Sequence, residues 1–491
     1  MNTTVGDGSP NVVTMPNTPV GQQLARWFQI FNSGDLATIR DLAATLYAPT
    51  AHYADSSLAQ YPEAERTSGN WAVKLYSDNR GLIPYGIERA TEDELVILVQ
   101  ERYSVDTGWA KVACTVDSAP PHPITAWAIH PMASPVVLGT PTVDKNAFIM
   151  AELERYLDQI VVADLFSGAV LVARDGTPIF MQAYGLAHKG YNVRNHVDTK
   201  FNVASVNKMF TALAIVQLAE RGLLSFDDRL RTFLRDYPNP AADIITLHQL
   251  LTHTSGLEPS ILNQETFWAH KERVRTIADW MALLMDAPLL FEPGTRWSYS
   301  NRGFLLLGAV IEQVTQQTYF DYVRDNIYRP AGMRNTNACE LDEDVEDRAL
   351  GYMHEGLASP FELHPRRNNL PFSVIKGSPH GNGGAYSTVT DLLQFATALQ
   401  QHRLLSPMYT QILLGNKVAT GRKENEHYGY GCFTEQVNGH VITGHAGTLA
   451  GVNAWLDLYR DLGYTVVVLA NYDLPAAQRV GKKLRYLLTS A

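Results

Sequence analysis

Apolar residues in "VGQQLARWFQIFNSGD" recur at helical spacing and stop at Asn32-Ser33-Gly34, which predicts a helix with a glycine end. A second helix follows in "LATIRDLAATLYAP", closing at Pro49, and a third falls within Pro62–Tyr76. The pattern then turns strand-like in "GIERATEDELVILVQER", "WAKVACTVD" and "ITAWAIHP". Helices first and antiparallel strands after predict a small α+β domain over residues 18–131. Residues 1–17 read as a flexible lead-in. Residues 132–146, with "MASPVVLGTPTVDKNA", read as a linker.

From about Ala147 a new series begins. The helix "FIMAELERYLDQIVVA" leads into the strands "SGAVLVARDG" and "TPIFMQAYG", joined by an Asp-Gly turn. Long helical stretches fill the middle. Strands return in "NGHVITGHAG", "GVNAWLDLYRD" and "GYTVVVLANYD", before a closing helix. This order predicts a second domain over residues 147–491, with a sheet built from both ends of the segment and helices around it. The whole is an α+β chain of two domains, as its 491 residues suggest.

Composition narrows the function. The formal net charge is −10 and no lysine/arginine cluster stands out, which argues against a nucleic-acid or polybasic membrane face. No apolar run approaches the length of a membrane span. Cys114, Cys339 and Cys432 are far apart, and the histidines form no metal-binding spacing, so neither a disulfide framework, a metal nor another cofactor is expected. The N-terminus carries no signal-peptide pattern, so the compartment is cytoplasmic by default, or periplasmic or secreted if a signal was removed.

The chemistry concentrates in three short motifs. "FNVASVNKMFTALAIVQLAERG" places Ser205 and Lys208 one turn apart at the front of an apolar helix. An ordinary reading makes Ser205 an N-cap and Lys208 a surface lysine. The chemical reading makes Ser205 a nucleophile and Lys208 its base, with burial lowering the lysine pKa. "SVIK" at Ser373–Lys376 repeats the string, but Gly377 and Pro379 prevent a continuing helix. "FEPGTRWSYSNRGFLLLGAVIEQV" sets Tyr299 and Asn301 on a loop anchored by a following helix. Tyr299 is either a half-buried aromatic or a proton carrier whose pKa a nearby ammonium lowers. "YPN" at Tyr237–Asn239 lacks that anchor. "GHAGTLAGVNAWLDL" leads His445 and Gly447 into a strand that can approach a ligand closely. The N–H groups of Ser205 and Thr448 can then form an oxyanion hole. "HKG" at His188 and "HEG" at His354 precede no such strand pair.

The order S-x-x-K, Y-x-N, H-x-G, with "LLTHTSGL", "FEPGTRWSYSN", "AGMRNTN" and "GNGGAYSTVTDLLQF", resembles the class C β-lactamase-like serine hydrolases over about residues 148–490. That family groups class C β-lactamases, D,D-carboxypeptidases, D-aminopeptidases and carboxylesterases. The resemblance implies an antiparallel sheet flanked by helices, with an all-α lobe and the site between them. It implies Ser205 as nucleophile, Lys208 as proton acceptor and Tyr299 as acid/base. Asn301 would position substrate, and His445, Gly447 and Thr448 would line the strand edge. "HAG" replaces the lysine-bearing K-T-G of β-lactamases, and a histidine with a pKa near ~6.5 is mostly neutral at pH 7. Esters or peptide-like amides are therefore expected as small-molecule or peptide-like substrates. A true β-lactamase, a D,D- or D-amino-peptidase, an acyltransferase, or a silent binding protein are the alternatives. Residues 18–131 resemble the SnoaL-like/ketosteroid isomerase fold, through element order and "WFQIFNSGD". This leaves His52, Tyr53 and Asp55 without a role and suggests a docking or homo-oligomerising module.

Overall fold

In the computed structural model, the described residues are 13–54, 68–103, 108–132, 144–258, 269–284, 288–354, 365–373, 376 and 385–490. The chain forms two compact units, Met1–Thr142 with His354–Arg366 and Val143–Met353 with Arg367–Ser490.

The first unit opens with α1 (Pro19–Ser33), capped by the Thr18 side chain and ended by Gly34 at φ +80°. Its buried stripe of Val20, Leu24, Trp27, Phe28 and Phe31 follows helical spacing. Next come α2 (Leu36–Leu46), β1 (Tyr47–Ala54), α3 (Ser68–Asn79), β2 (Leu82–Ala90), β3 (Glu94–Glu101), β4 (Trp109–Val116) and β5 (Ile124–Met132). The second helix thus stops short of Pro49, and Tyr47 begins a strand that the sequence pattern did not reveal. The run "GIERATEDELVILVQER" is a hairpin rather than one strand, because Thr91–Asp93 turn the chain between β2 and β3. The sheet order is β1-β5-β4-β3-β2, parallel only between β1 and β5. Alternate residues Leu95, Ile97 and Val99 point into the core with Trp27, Trp71 and Trp127. The Trp127 ring lies 5.2 Å from Trp27 and 4.6 Å from Trp71. Asp55 and the side chains of His52 and Tyr53 lie outside the described residues, as does most of the 132–146 linker.

The second unit begins with α4 (Lys145–Val162), then β6 (Gly168–Arg174) and β7 (Thr177–Tyr184). The turn between them is Asp175-Gly176, with φ +49° and +79°, as a tight hairpin requires. The helical lobe contains α5 (Asn207–Glu220) and α6 (Asn301–Thr315), and α7 (Val389–Gln400) follows. The chain closes through β8 (Val418–Ala419), β9 (Glu426–Tyr428), β10 (Phe433–Val437), β11 (His440–Leu449), β12 (Val452–Tyr459), β13 (Tyr464–Ala470) and α8 (Ala476–Thr489). The eight-stranded antiparallel sheet runs β8-β9-β10-β11-β12-β13-β6-β7, so strands from both ends meet where β13 pairs β6. Ala169, Leu171 and Ala173 of β6 join the helical-lobe core. Val170 and Val172, on the opposite face, are equally buried. Both faces are covered, which is why these strands read as continuous apolar runs. Helix α5 is apolar all round for a similar reason: Asn207 through Ala219 are all buried.

One ion-pair network ties α8 to the sheet. Arg485 reaches both oxygens of buried Asp457 at 2.7 and 2.9 Å, and Glu435 at 2.7 Å. Asp457 also accepts Trp455 Nε1–H at 2.7 Å. Removing one partner leaves a buried charge uncompensated. Arg485→Met is expected to destabilise the protein by about 3–5 kcal/mol, with Asp457→Leu/Arg485→Met losing less. Urea denaturation checks this, and a double variant less stable than the single one would contradict it.

Candidate functional site

Ser205 sits on a single 3₁₀ turn, Ala204–Val206, that feeds directly into α5. The residue before it, Ala204, has φ +46°, a strained value for a residue with a side chain. Asn202 supports this turn by accepting the Ala204 N–H at 2.8 Å. No side chain caps the turn or α5, so Ser205 is not an N-cap. It is partly exposed, whereas Lys208, one turn on, is fully buried. Lys208 therefore does not reach out to solvent. Its Nζ lies 3.2 Å from Ser205 Oγ and donates to Asn301 Oδ1 at 2.8 Å. Burial drives its pKa well below the ordinary lysine value. Burial therefore favours the neutral amine, the form whose lone pair can face the serine hydroxyl.

Tyr299 comes to the same point from the loop ahead of α6. Its hydroxyl hydrogen-bonds the Ser205 side chain. Its ring lies 4.8 Å from Lys208 Nζ. The expectation that a nearby ammonium lowers the tyrosine pKa does not hold. Burial raises it, outweighing the Ser205 hydrogen bond and the charge of Arg422. The cost of burying a phenolate dominates, so Tyr299 rests as a phenol that can donate a proton. Asn301, at the first position of α6, is set by the Ser300 cap, which accepts the Gly303 N–H at 3.3 Å.

The third wall is β11. Its pairing with β10 ends at Phe433–Gly444, while its pairing with β12 continues to Leu449–Val452. The stretch from His445 onward passes beside the Ser205 turn. A Cβ on Gly447 would fall 2.2 Å from Val203 O and 3.0 Å from Ser205 N, so only glycine fits. Asn453, fully buried on β12, donates to Gly447 O at 2.9 Å and to Thr448 Oγ1 at 3.3 Å. Gly431, φ +72°, makes a like approach to Lys208 O from the "YGYG" segment.

His445 is buried and its pKa is pushed down to about 3, first by burial and then by the repulsion it would meet from Lys208 whenever that amine is protonated, with Arg422 adding to the effect. Its Nδ1–H faces Ala446 O at 2.6 Å, and Nε2 faces the Tyr428 hydroxyl at 3.3 Å. It supplies no cation. The nearby cation is Arg422, which lies over the Trp297 and Phe433 rings at 5.2 and 4.6 Å. Both of its engaged nitrogens pair with Glu426, at 2.8 and 2.9 Å. Lys423 pairs with Glu435 at 2.6 Å.

The repeated strings have other work. Lys376 pairs with Glu340 at 3.3 Å, and Val374 and Ile375 lie outside the described residues. Asn239 caps a short helical turn through Ala241 N–H. His188 accepts the Tyr191 N–H at 3.2 Å, and His354 lies beside Arg80. Asn202 and Asn453 went unnoticed in the sequence, because each acts through a backbone contact that no short motif encodes. His253 also escaped, although "LLTHTSGL" was visible. It packs 4.2 Å from the Tyr299 ring.

Gly447→Ala is expected to lower stability by roughly 1–3 kcal/mol through the clash with Val203 O. It should also lower kcat/KM on the order of a hundredfold by crowding the Ser205 N–H. Thermal melts and steady-state kinetics check both, and an unimpaired variant would reject the close approach.

The sequence profile of the Beta-lactamase family matches residues 153–491. Penicillin-binding protein 4* of Bacillus subtilis (strain 168) is 29% identical over 317 residues, 63% of this chain and 68% of that protein. A penicillin binding protein from Bacillus halodurans superposes with TM-score 0.59 at 33% identity, covering 69% of this chain and 98% of that one. A D-stereospecific amidohydrolase from Streptomyces sp. gives 0.58 at 27% identity, covering 69% and 97%. With its sheet, its helical lobe and a match through most of its length, the chain belongs to the beta-lactamase family of serine hydrolases.

Proposed function

We propose that this chain hydrolyses ester or peptide-like amide substrates through an acyl-enzyme on Ser205. The observation that carries the reading is the buried Lys208 amine, its pKa lowered by burial, 3.2 Å from Ser205 Oγ. Lys208 takes the hydroxyl proton as Oγ bonds to the substrate carbonyl carbon. The N–H groups of Ser205 and Thr448 receive the oxyanion that forms. As the tetrahedral species collapses, Tyr299 gives its phenolic proton to the departing amine or alkoxide and regains one from the Lys208 ammonium. Water then attacks the ester carbonyl, losing a proton to the same pair, and Ser205 leaves with it. Asn301 keeps the Lys208 lone pair aimed at Ser205.

Substrate choice follows from charge. A β-lactam carboxylate needs a cation at the strand edge. His445 is neutral there, and Arg422 is already neutralised by Glu426. A hydrogen bond to a charged group contributes about 1.5–3 kcal/mol, so its absence weakens binding on the order of tenfold to a hundredfold. The names of the amidohydrolase and penicillin-binding relatives agree with an amide or peptide-like substrate.

Lys208→Met is expected to lower kcat on the order of a hundredfold to ten-thousandfold. Folding strips a proton from Lys208 below its ordinary pKa, so stability rises with pH through that window. The methionine variant should therefore be more stable than the parent at neutral pH, with the gap closing towards pH 10.5. In the parent, activity should persist well below that pH and fall as Lys208 becomes protonated. A variant that is both active and less stable at pH 7 would overturn the assignment.

The substrate reading is checked by kcat/KM for a short-chain aryl ester, a D-alanyl peptide and a cephalosporin. The cephalosporin should be poorest, and His445→Lys should improve it. A cephalosporin preferred over both others would sink the charge argument.

A further inference from the structure

We infer that His253 is the positioning residue for Tyr299, holding the phenol at the leaving-group side of the site. The inference rests on the acid/base reading of Tyr299. His253 follows the short helix Leu247–Leu251 and has φ +59°, in the left-handed region. That turn directs its backbone and its ring to the same loop. The His253 carbonyl accepts Ser298 N–H at 2.9 Å, and Nδ1 accepts Ser300 N–H at 3.1 Å. The residues on both sides of Tyr299 are thus bonded to one histidine, whose ring lies 4.2 Å from the tyrosine ring at 41°. Two further bonds, Gly294 N–H to Thr254 O at 2.7 Å and Leu290 N–H to Gly256 O at 2.8 Å, extend the seam. Gly256 lets it close, since a Cβ there would meet Phe291 O at 2.2 Å.

The choice of histidine needs a reason. A peptide N–H does not surrender its proton, so Nδ1 must be bare and the ring proton must lie on Nε2. Nε2 is buried with no hydrogen-bond partner among the described residues. Around it stand the rings of Tyr428, Phe304 and Trp297, at 4.6, 5.1 and 6.2 Å between centroids. For packing alone, an apolar side chain would avoid burying that N–H. What the imidazole supplies, and an apolar side chain does not, is a rigid acceptor one bond from the ring's attachment. Asparagine reproduces it, because its Oδ1 falls near the Nδ1 position and it tolerates the left-handed backbone. Glutamine, similar in polarity, carries its oxygen one carbon farther out.

The test uses two substrates with the same acyl group, a simple amide and a p-nitrophenyl ester. The amine must be protonated to leave, and p-nitrophenolate need not be. Tyr299→Phe and His253→Gln should each lower kcat/KM for the amide on the order of a hundredfold, while the ester changes by less than about tenfold. His253→Asn should restore the amide to within about tenfold of the parent. A folded His253→Gln slowed equally on both substrates, or a folded His253→Asn as slow on the amide as Tyr299→Phe, overturns the inference. If His253→Gln does not fold, the asparagine variant decides alone. If Tyr299→Phe itself shows no difference between substrates, the acid/base reading fails and this inference falls with it. If only the His253 variants show none, the Tyr299 reading stands and this inference fails.

Discussion

The interior of the second unit has no room for a charge at Lys208. An ammonium group taken from water into apolar surroundings costs several kcal/mol unless a counter-charge meets it. Lys208 Nζ lies against an amide oxygen, a serine hydroxyl and two aromatic rings. Burial shifts the lysine towards its neutral form, and the rest of the site follows. Tyr299, buried beside it, remains a phenol. His445, buried beside the same group, remains an imidazole. The site at rest is electrically quiet, and its reactivity lies in proton positions rather than fixed charges.

Such a site works only if its parts are held to fractions of an ångström. The structure does this with backbone more than with side-chain bulk. Gly447 and Gly431 bring two segments against Val203, Ser205 and Lys208. Asn453 fixes the strand end by bonding Gly447 and Thr448, and its own Oδ1 accepts Gln478 N–H at 2.9 Å from α8. The position of the strand beside the serine is therefore tied to the closing helix.

Much of this was visible in the chain. Ser205 and Lys208 stand three apart before an apolar run, and the structure brings them together with Tyr299 and Asn301. The division of the sheet between both ends of the second segment was readable because β6, β12 and β13 are covered on both faces. Other features had no local signature. The strand at Tyr47 follows a helix without a break in apolar pattern, and only its parallel pairing with β5 defines it. His253 meets Tyr299 across a gap of many residues, so its partner is set by the tertiary fold. The tyrosine's pKa was misjudged because a neighbour's charge was assumed before its burial was known. Burial is a property of the assembled core, which no motif displays.

The pairing of β6 with β13 has a consequence for how the protein is made. Gly168 lies beside Ala470, so β6 and β7 leave the ribosome long before the strands that flank them exist. A hairpin alone is marginally stable in water. During synthesis, the inner edge of β6 carries unpaired backbone groups next to the apolar residues Val170, Leu171 and Val172. The sheet closes only when the last strands arrive, and with it the wall beside Ser205. The wall beside Ser205 is thus complete only once β11, β12 and β13 have been made, and a nascent chain lacking these strands carries the serine and lysine without it.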